Sequence, residues 1–60
     1  MKFRMFTAVK SGKRIAVNVD RVIGIEERDG CVVIYVGETE RVEVAEDFDT
    51  VFSRLNTVAE

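Results

Sequence analysis

Few side chains in this sequence are equipped for chemistry, and those few stand apart from one another. Cys31 is the only cysteine and there is no histidine, so neither Cys31 nor Ser53 has the ordinary base that an activated nucleophile needs beside it. Cys31 opens the apolar run Cys31-Val32-Val33-Ile34-Tyr35-Val36, where a thiol behaves as a small hydrophobe. The same two shortages remove an intrachain disulfide and the usual zinc-ligand spacings. Asp47 and Asp49 form an Asp-x-Asp, and Glu26, Glu27 and Asp29 form an acidic cluster, but neither has the glycine and closing glutamate of a calcium loop. Ser11-Gly12-Lys13 contains a Gly-Lys pair without the upstream glycine of a phosphate-binding loop, and Arg14 stands where that loop needs Ser or Thr. The expectation is a protein with no catalytic residues, no metal and no cofactor, hence not an enzyme.

Binding is better served than catalysis. Residues 1–21 hold six Lys/Arg against one Asp, a net of +5, while residues 22–60 hold three against ten acidic residues, a net of −7. Lys2, Arg4 and Lys10 alternate onto one face of the first strand with Phe6 among them, and Lys13 and Arg14 extend the charge at the following turn. Cations that hold phosphates beside an aromatic ring that stacks on a base are one way of gripping single-stranded nucleic acid. Against that reading, the chain as a whole is acidic, with pI near 5.1, whereas nucleic-acid binders typically exceed about 9. The same residues serve better as an interface for an acidic surface, such as the acidic half of a second copy.

The elements that must position these residues are mostly strands. There is no proline, and Ser11-Gly12, Asp29-Gly30 and Gly37-Glu38 mark turns between alternating runs. The pattern predicts strands at residues 2–10, 13–18, 22–28, 31–36 and 39–45, with Asn18 to Arg21 as a turn. Phe3, Met5, Thr7 and Val9 are expected to face the core with Ile15, Val17, Ile23, Ile25, Val32, Ile34, Val36, Val42 and Val44. From Phe48 the period changes: Phe48, Val51, Phe52 and Leu55 follow i, i+3, i+4, i+7, an amphipathic helix of about ten residues. Asp47 is placed to cap it and Asp49 to complement its dipole. The fold class expected is mainly β (α+β): a five-stranded antiparallel meander or small curved barrel with one C-terminal helix, forming a single domain over 1–60.

Size adds a constraint. A 60-residue chain buries only about 60% of its unfolded surface, and a core this small is usually supplemented by a disulfide, a metal or a partner. With the first two unsupported, a homo-oligomer is expected. The fourth strand points the same way, because it is apolar on both faces and one helix covers only one. Val33 and Tyr35 on its second face therefore join the basic hairpin as the expected partner surface. The apolar fraction is 47% and the charged fraction 33%, as in a globular chain, and no run approaches the roughly 18 apolar residues of a membrane span. No secretory signal is evident, and a lone cysteine suits the cytoplasm.

Ile15-x-Val17-Asn18-x-Asp20-x-Val22-x-x-Ile25-Glu26, a glycine turn, Val32-x-Ile34, a second glycine, Val42-x-Val44-x-Glu46, then Phe48-Asp49-x-Val51-x-x-x-Leu55 together resemble the small flagellar FlbD-like proteins and similar short phage and bacterial proteins of unknown role. The resemblance covers about residues 12–55. It implies a β-meander with a terminal helix, a non-enzymatic accessory role, and no catalytic residues. Two features depart from it: a longer basic first strand, and Asp47 where serine is usual at the cap.

Overall fold

The computed structural model describes residues 2–56. Five strands and one helix follow in the expected order: β1 (Phe3–Thr7), β2 (Arg14–Asn18), β3 (Gly24–Arg28), β4 (Cys31–Tyr35), β5 (Arg41–Val44) and α1 (Phe48–Asn56). They form two antiparallel sheets, the β1–β2 hairpin and a three-stranded sheet in the order β3–β4–β5. An isolated bridge between Ala8 and Val44 links the two, flanked by hydrogen bonds from Val9 N to Glu43 O and from Ala45 N to Thr7 O, each 2.9 Å. Neither expected form of the sheet is reached. Among the described residues β2 and β3 do not pair, so the strands make neither one continuous meander nor a closed barrel.

The β2–β3 connection explains the break. Asn18 accepts a hydrogen bond from Asp20 N at 3.0 Å through its side chain and starts a 3-10 turn, Val19–Arg21, which stands in place of the tight hairpin turn that would pair β2 with β3. Two glycines shape other corners. Gly12 takes φ 71° where its N–H closes onto Ala8 O, and Gly30 takes φ 80° in the two-residue β3–β4 loop, conformations in which a Cβ would be strained. In α1 the carbonyl of Asp47 accepts from Val51 N at 3.0 Å, which makes Asp47 the N-cap position.

The core lies between the hairpin, the inner face of the three-stranded sheet and α1. Phe6, Val17, Val32, Ile34, Val44 and Val51 are buried there, with Ile15, Val22, Ile25, Val36, Val42, Phe48 and Leu55 packed around them. In β1 the expected faces are reversed: Phe6 is 1% exposed, while Phe3, Met5 and Val9 are 50%, 47% and 42% exposed. The loop decides this. Ala8 N bonds Lys13 O across a four-residue connection, and the register sets Phe6 opposite Ile15 and Arg4 opposite Val17. Residues directly opposite share a face, so the inward Ile15 and Val17 take Phe6 inward with them. Ile23, expected in the core, is also exposed, and Phe52 on the apolar stripe of the helix is 54% exposed and stacks on Phe48 with ring centroids 6.4 Å apart.

This reversal is open to a direct check. Phe6→Ala should cost about 3–5 kcal/mol, enough to unfold most of so small a domain. Phe3→Ala should stay within about 0.5 kcal/mol of the parent, as exposed positions do. Urea denaturation of the two variants compares them, and equal losses would refute the assignment of faces.

Candidate interaction surface

The residues expected to meet a partner separate into four groups. Lys10, Lys13 and Arg14 are exposed around the β1–β2 turn, while Lys2 is exposed at the opposite end of β1. Arg4 and Phe6 project the other way, toward the core and the helix. Arg4 donates from Nε to Arg54 O and from Nη1 to Phe3 O, both at 3.1 Å. Phe6, expected among exposed cations, is a core side chain, so the surface does not contain the stacking ring proposed for it.

Val33 is likewise corrected: it is fully buried. Its cross-strand neighbours are Glu26 on β3 and Glu43 on β5, and Tyr35 follows on the same face of β4. The Tyr35 hydroxyl donates to Glu26 Oε1 at 2.6 Å, and Arg28 Nη2 reaches the same oxygen at 3.1 Å and the hydroxyl at 3.4 Å. The face of β4 that carries Val33 is thus bordered by a bonded set of long amphipathic side chains, Tyr35, Glu26 and Arg28. The second apolar face of β4 is less available than its sequence suggested, because Val33 is buried and Tyr35 is half-buried. Bonding from Tyr35, then from Arg28, holds the Glu26 carboxyl below its ordinary range.

A cluster that sequence reasoning missed joins β1 to the helix. Burial pushes the Glu46 carboxyl up, but the Thr7 N–H at 3.0 and 3.1 Å from its two oxygens, its own N–H and the nearby Arg54 outweigh this and leave it below 4.5. Arg54 Nη1 lies 3.6 Å from Glu46 Oε2 and donates to Met5 O at 2.7 Å, and its guanidinium sits 5.5 Å from the centre of the Phe6 ring. Its sequence signal was faint: one arginine in the last turn of an amphipathic helix, and one glutamate just before that helix. The cluster is structural: Glu46 accepts from the Thr7 amide and Arg54 donates to the Met5 carbonyl, so each side chain holds the β1 backbone.

What remains available is the outer side of the hairpin. Phe3 and Met5 stand outward there, with Ala16 directly across from Met5. Beside β2 runs a groove of about 370 Å³ whose walls include Phe3, Ile15, Val17, Val36, Glu40 and Val42. A second apolar patch, with Ile23 at 68% and Phe52 at 54% exposure, lies where β3 meets α1. Among the described residues no three Cys, Asp or Glu side chains come together as a metal-ligand set, and no helix is long and apolar enough to cross a membrane. No family model, no curated protein and no solved structure matches the chain.

The Glu46 cluster predicts a pH signature. Its folded-state pKa is depressed, so the ionised carboxylate contributes stability that is present above 4.5 and is lost as pH falls through the folded value. Glu46→Gln should therefore cost about 1.5–3 kcal/mol at neutral pH, the usual worth of hydrogen bonds to a charged group. The difference from the parent should shrink as the pH is lowered below 4.5. Thermal melts of both proteins across this range test it, and a pH-independent difference would show that the charge is not the cause.

Proposed function

We propose that this chain is a small, non-enzymatic, cytoplasmic interaction module that self-associates and acts as an accessory protein. The observation that supports this most is the outward placement of Phe3 and Met5 beside Ala16, an apolar strip on a hairpin that the domain's own core leaves uncovered. A lone half-buried Cys31 and a chain without histidine favour binding over catalysis. The resemblance to FlbD-like proteins points to the same accessory role.

The rival reading, a nucleic-acid-binding regulator, keeps its cations but loses its ring. Lys10, Lys13 and Arg14 are exposed together, whereas Phe6 is buried and Arg4 is engaged with the helix end. Phosphate contacts without stacking give a weaker and more salt-sensitive grip.

Sedimentation equilibrium at high micromolar concentration should give a mass above the 6.8 kDa of one chain. A purely monomeric species would overturn self-association. At low salt, the parent and a variant with Lys10, Lys13 and Arg14 changed to Glu should show equally little binding to a mixed-sequence single-stranded oligonucleotide. Tight binding by the parent that the triple variant abolishes would favour the regulator instead.

A further inference from the structure

The open edge of β2 carries a more specific inference, which rests on the self-association proposed above. In the hairpin, Ala8 N bonds Lys13 O and Val19 N bonds Lys2 O, so the bonded pairs alternate through Arg4 with Val17 and Phe6 with Ile15. The backbone N–H and C=O groups of Arg14, Ala16 and Asn18 therefore point away from β1. Among the described residues no other strand pairs with β2, so these groups form an unused row.

The two sheet edges differ in how they are defended. On β3, Glu26, Glu27 and Arg28 follow one another, and such charge discourages strand addition. On β2, Arg14-Ile15-Ala16-Val17-Asn18 carries one charge, at its end. Pairing β2 with its own copy in antiparallel register about Ala16 sets Arg14 opposite Asn18 of the partner and Ala16 opposite Ala16. That arrangement places no like charges face to face. It also aligns Met5, Ala16, Ala16 and Met5 in one row across the joined hairpins, and brings Ile15 of each copy beside Val17 of the other along the apolar groove. The same pairing centred on Glu26 of β3 would set two carboxylates opposite each other.

We propose that two copies of this chain associate through their β2 strands, antiparallel about a two-fold axis at Ala16, to make a continuous four-stranded β1–β2–β2–β1 sheet. The contact is isologous and closes at two copies. A second copy suits this edge because the register is self-complementary.

Ala16 is exposed and outward, so Ala16→Lys leaves the hairpin's own ladder intact while setting two ammonium groups face to face across the axis. It should weaken dimerisation at least about tenfold with an unchanged circular dichroism spectrum, while Glu26→Gln on the other edge leaves it unaltered. In a Cys31→Ser background, Ala16→Cys should oxidise to a disulfide-linked dimer, because residues directly opposite in a bonded antiparallel pair lie about 5.5 Å apart at Cα, within disulfide reach. A parent that dimerises while Ala16→Lys dimerises equally well and Ala16→Cys fails to cross-link would overturn this interface and leave self-association standing. A parent whose mass climbs past two copies with concentration would also overturn it. A strictly monomeric parent would overturn both.

Discussion

The guanidinium of Arg54 is the point on which the arrangement of this small domain turns. Beyond the bridge at Ala8 the two sheets part, and the β1 backbone is left with groups that no strand satisfies. Glu46 supplies the acceptor for Thr7 N–H and Arg54 supplies the donor for Met5 carbonyl, so two side chains continue the ladder where β5 has ended. The 3.6 Å approach between Arg54 and Glu46 neutralises the charge that this continuation brings inside. The same guanidinium lies over Phe6, and the Arg54 carbonyl receives Arg4, so α1 is fastened to the hairpin by its last turn. An exposed ion pair would be worth little, but here the partners are also hydrogen-bonded to backbone and Glu46 is largely covered.

That fastening lets one layer of hairpin and one short helix cover a three-stranded sheet. The helix packs over β3 and β4, and the hairpin brings Phe6 and Val17 into the core formed with Val32, Ile34 and Val44. Val51 locks the helix to the same cluster. Because the chain leaves the hairpin through the 3-10 turn after Asn18, β2 and β3 never meet, and the fold stays open along β2. A closed barrel would have used that edge internally. Leaving it open places an unpaired, lightly charged strand at the surface.

The local pattern made most of this legible, and the longer-range register did not. Strand order, the glycine turns, the Asn18 turn and the amphipathic helix follow from spacing that each segment carries by itself. The faces of β1 do not, because both of its faces hold apolar residues, and the choice between them depends on whether the hairpin loop contains an even or odd number of residues. Once Ile15 and Val17 are taken as inward, the observed four-residue loop forces Phe6 inward and Phe3 outward. Val33 misled for a related reason: an apolar residue on the outer face reads as a sticky strip until the cross-strand neighbours are known. Glu26 and Glu43 turned out to flank it, and Tyr35 reached over to Glu26. Arg54 and Glu46 leave only a faint signal because their partners, Met5 carbonyl and Thr7 amide, lie 49 and 39 residues away in the chain.

The uneven charge of the two halves takes on a different meaning in this geometry. Read along the sequence, a basic first third and an acidic remainder invite head-to-tail stacking, which is heterologous and grows without limit unless the rotation closes. In the fold, the positive charges of Lys10, Lys13 and Arg14 gather at the hairpin turn, at one end of the open edge. Antiparallel pairing about Ala16 sends those two basic ends in opposite directions. Arg14 of one copy then lies four residues along the strand from Arg14 of the other, roughly 13 Å at the ordinary strand rise. That exceeds the screening length of about 8 Å at physiological salt. A parallel alignment would instead bring the two basic turns together. In the proposed dimer the charge pattern would therefore favour antiparallel over parallel pairing, with the energy left to the backbone and to the apolar rows on either side.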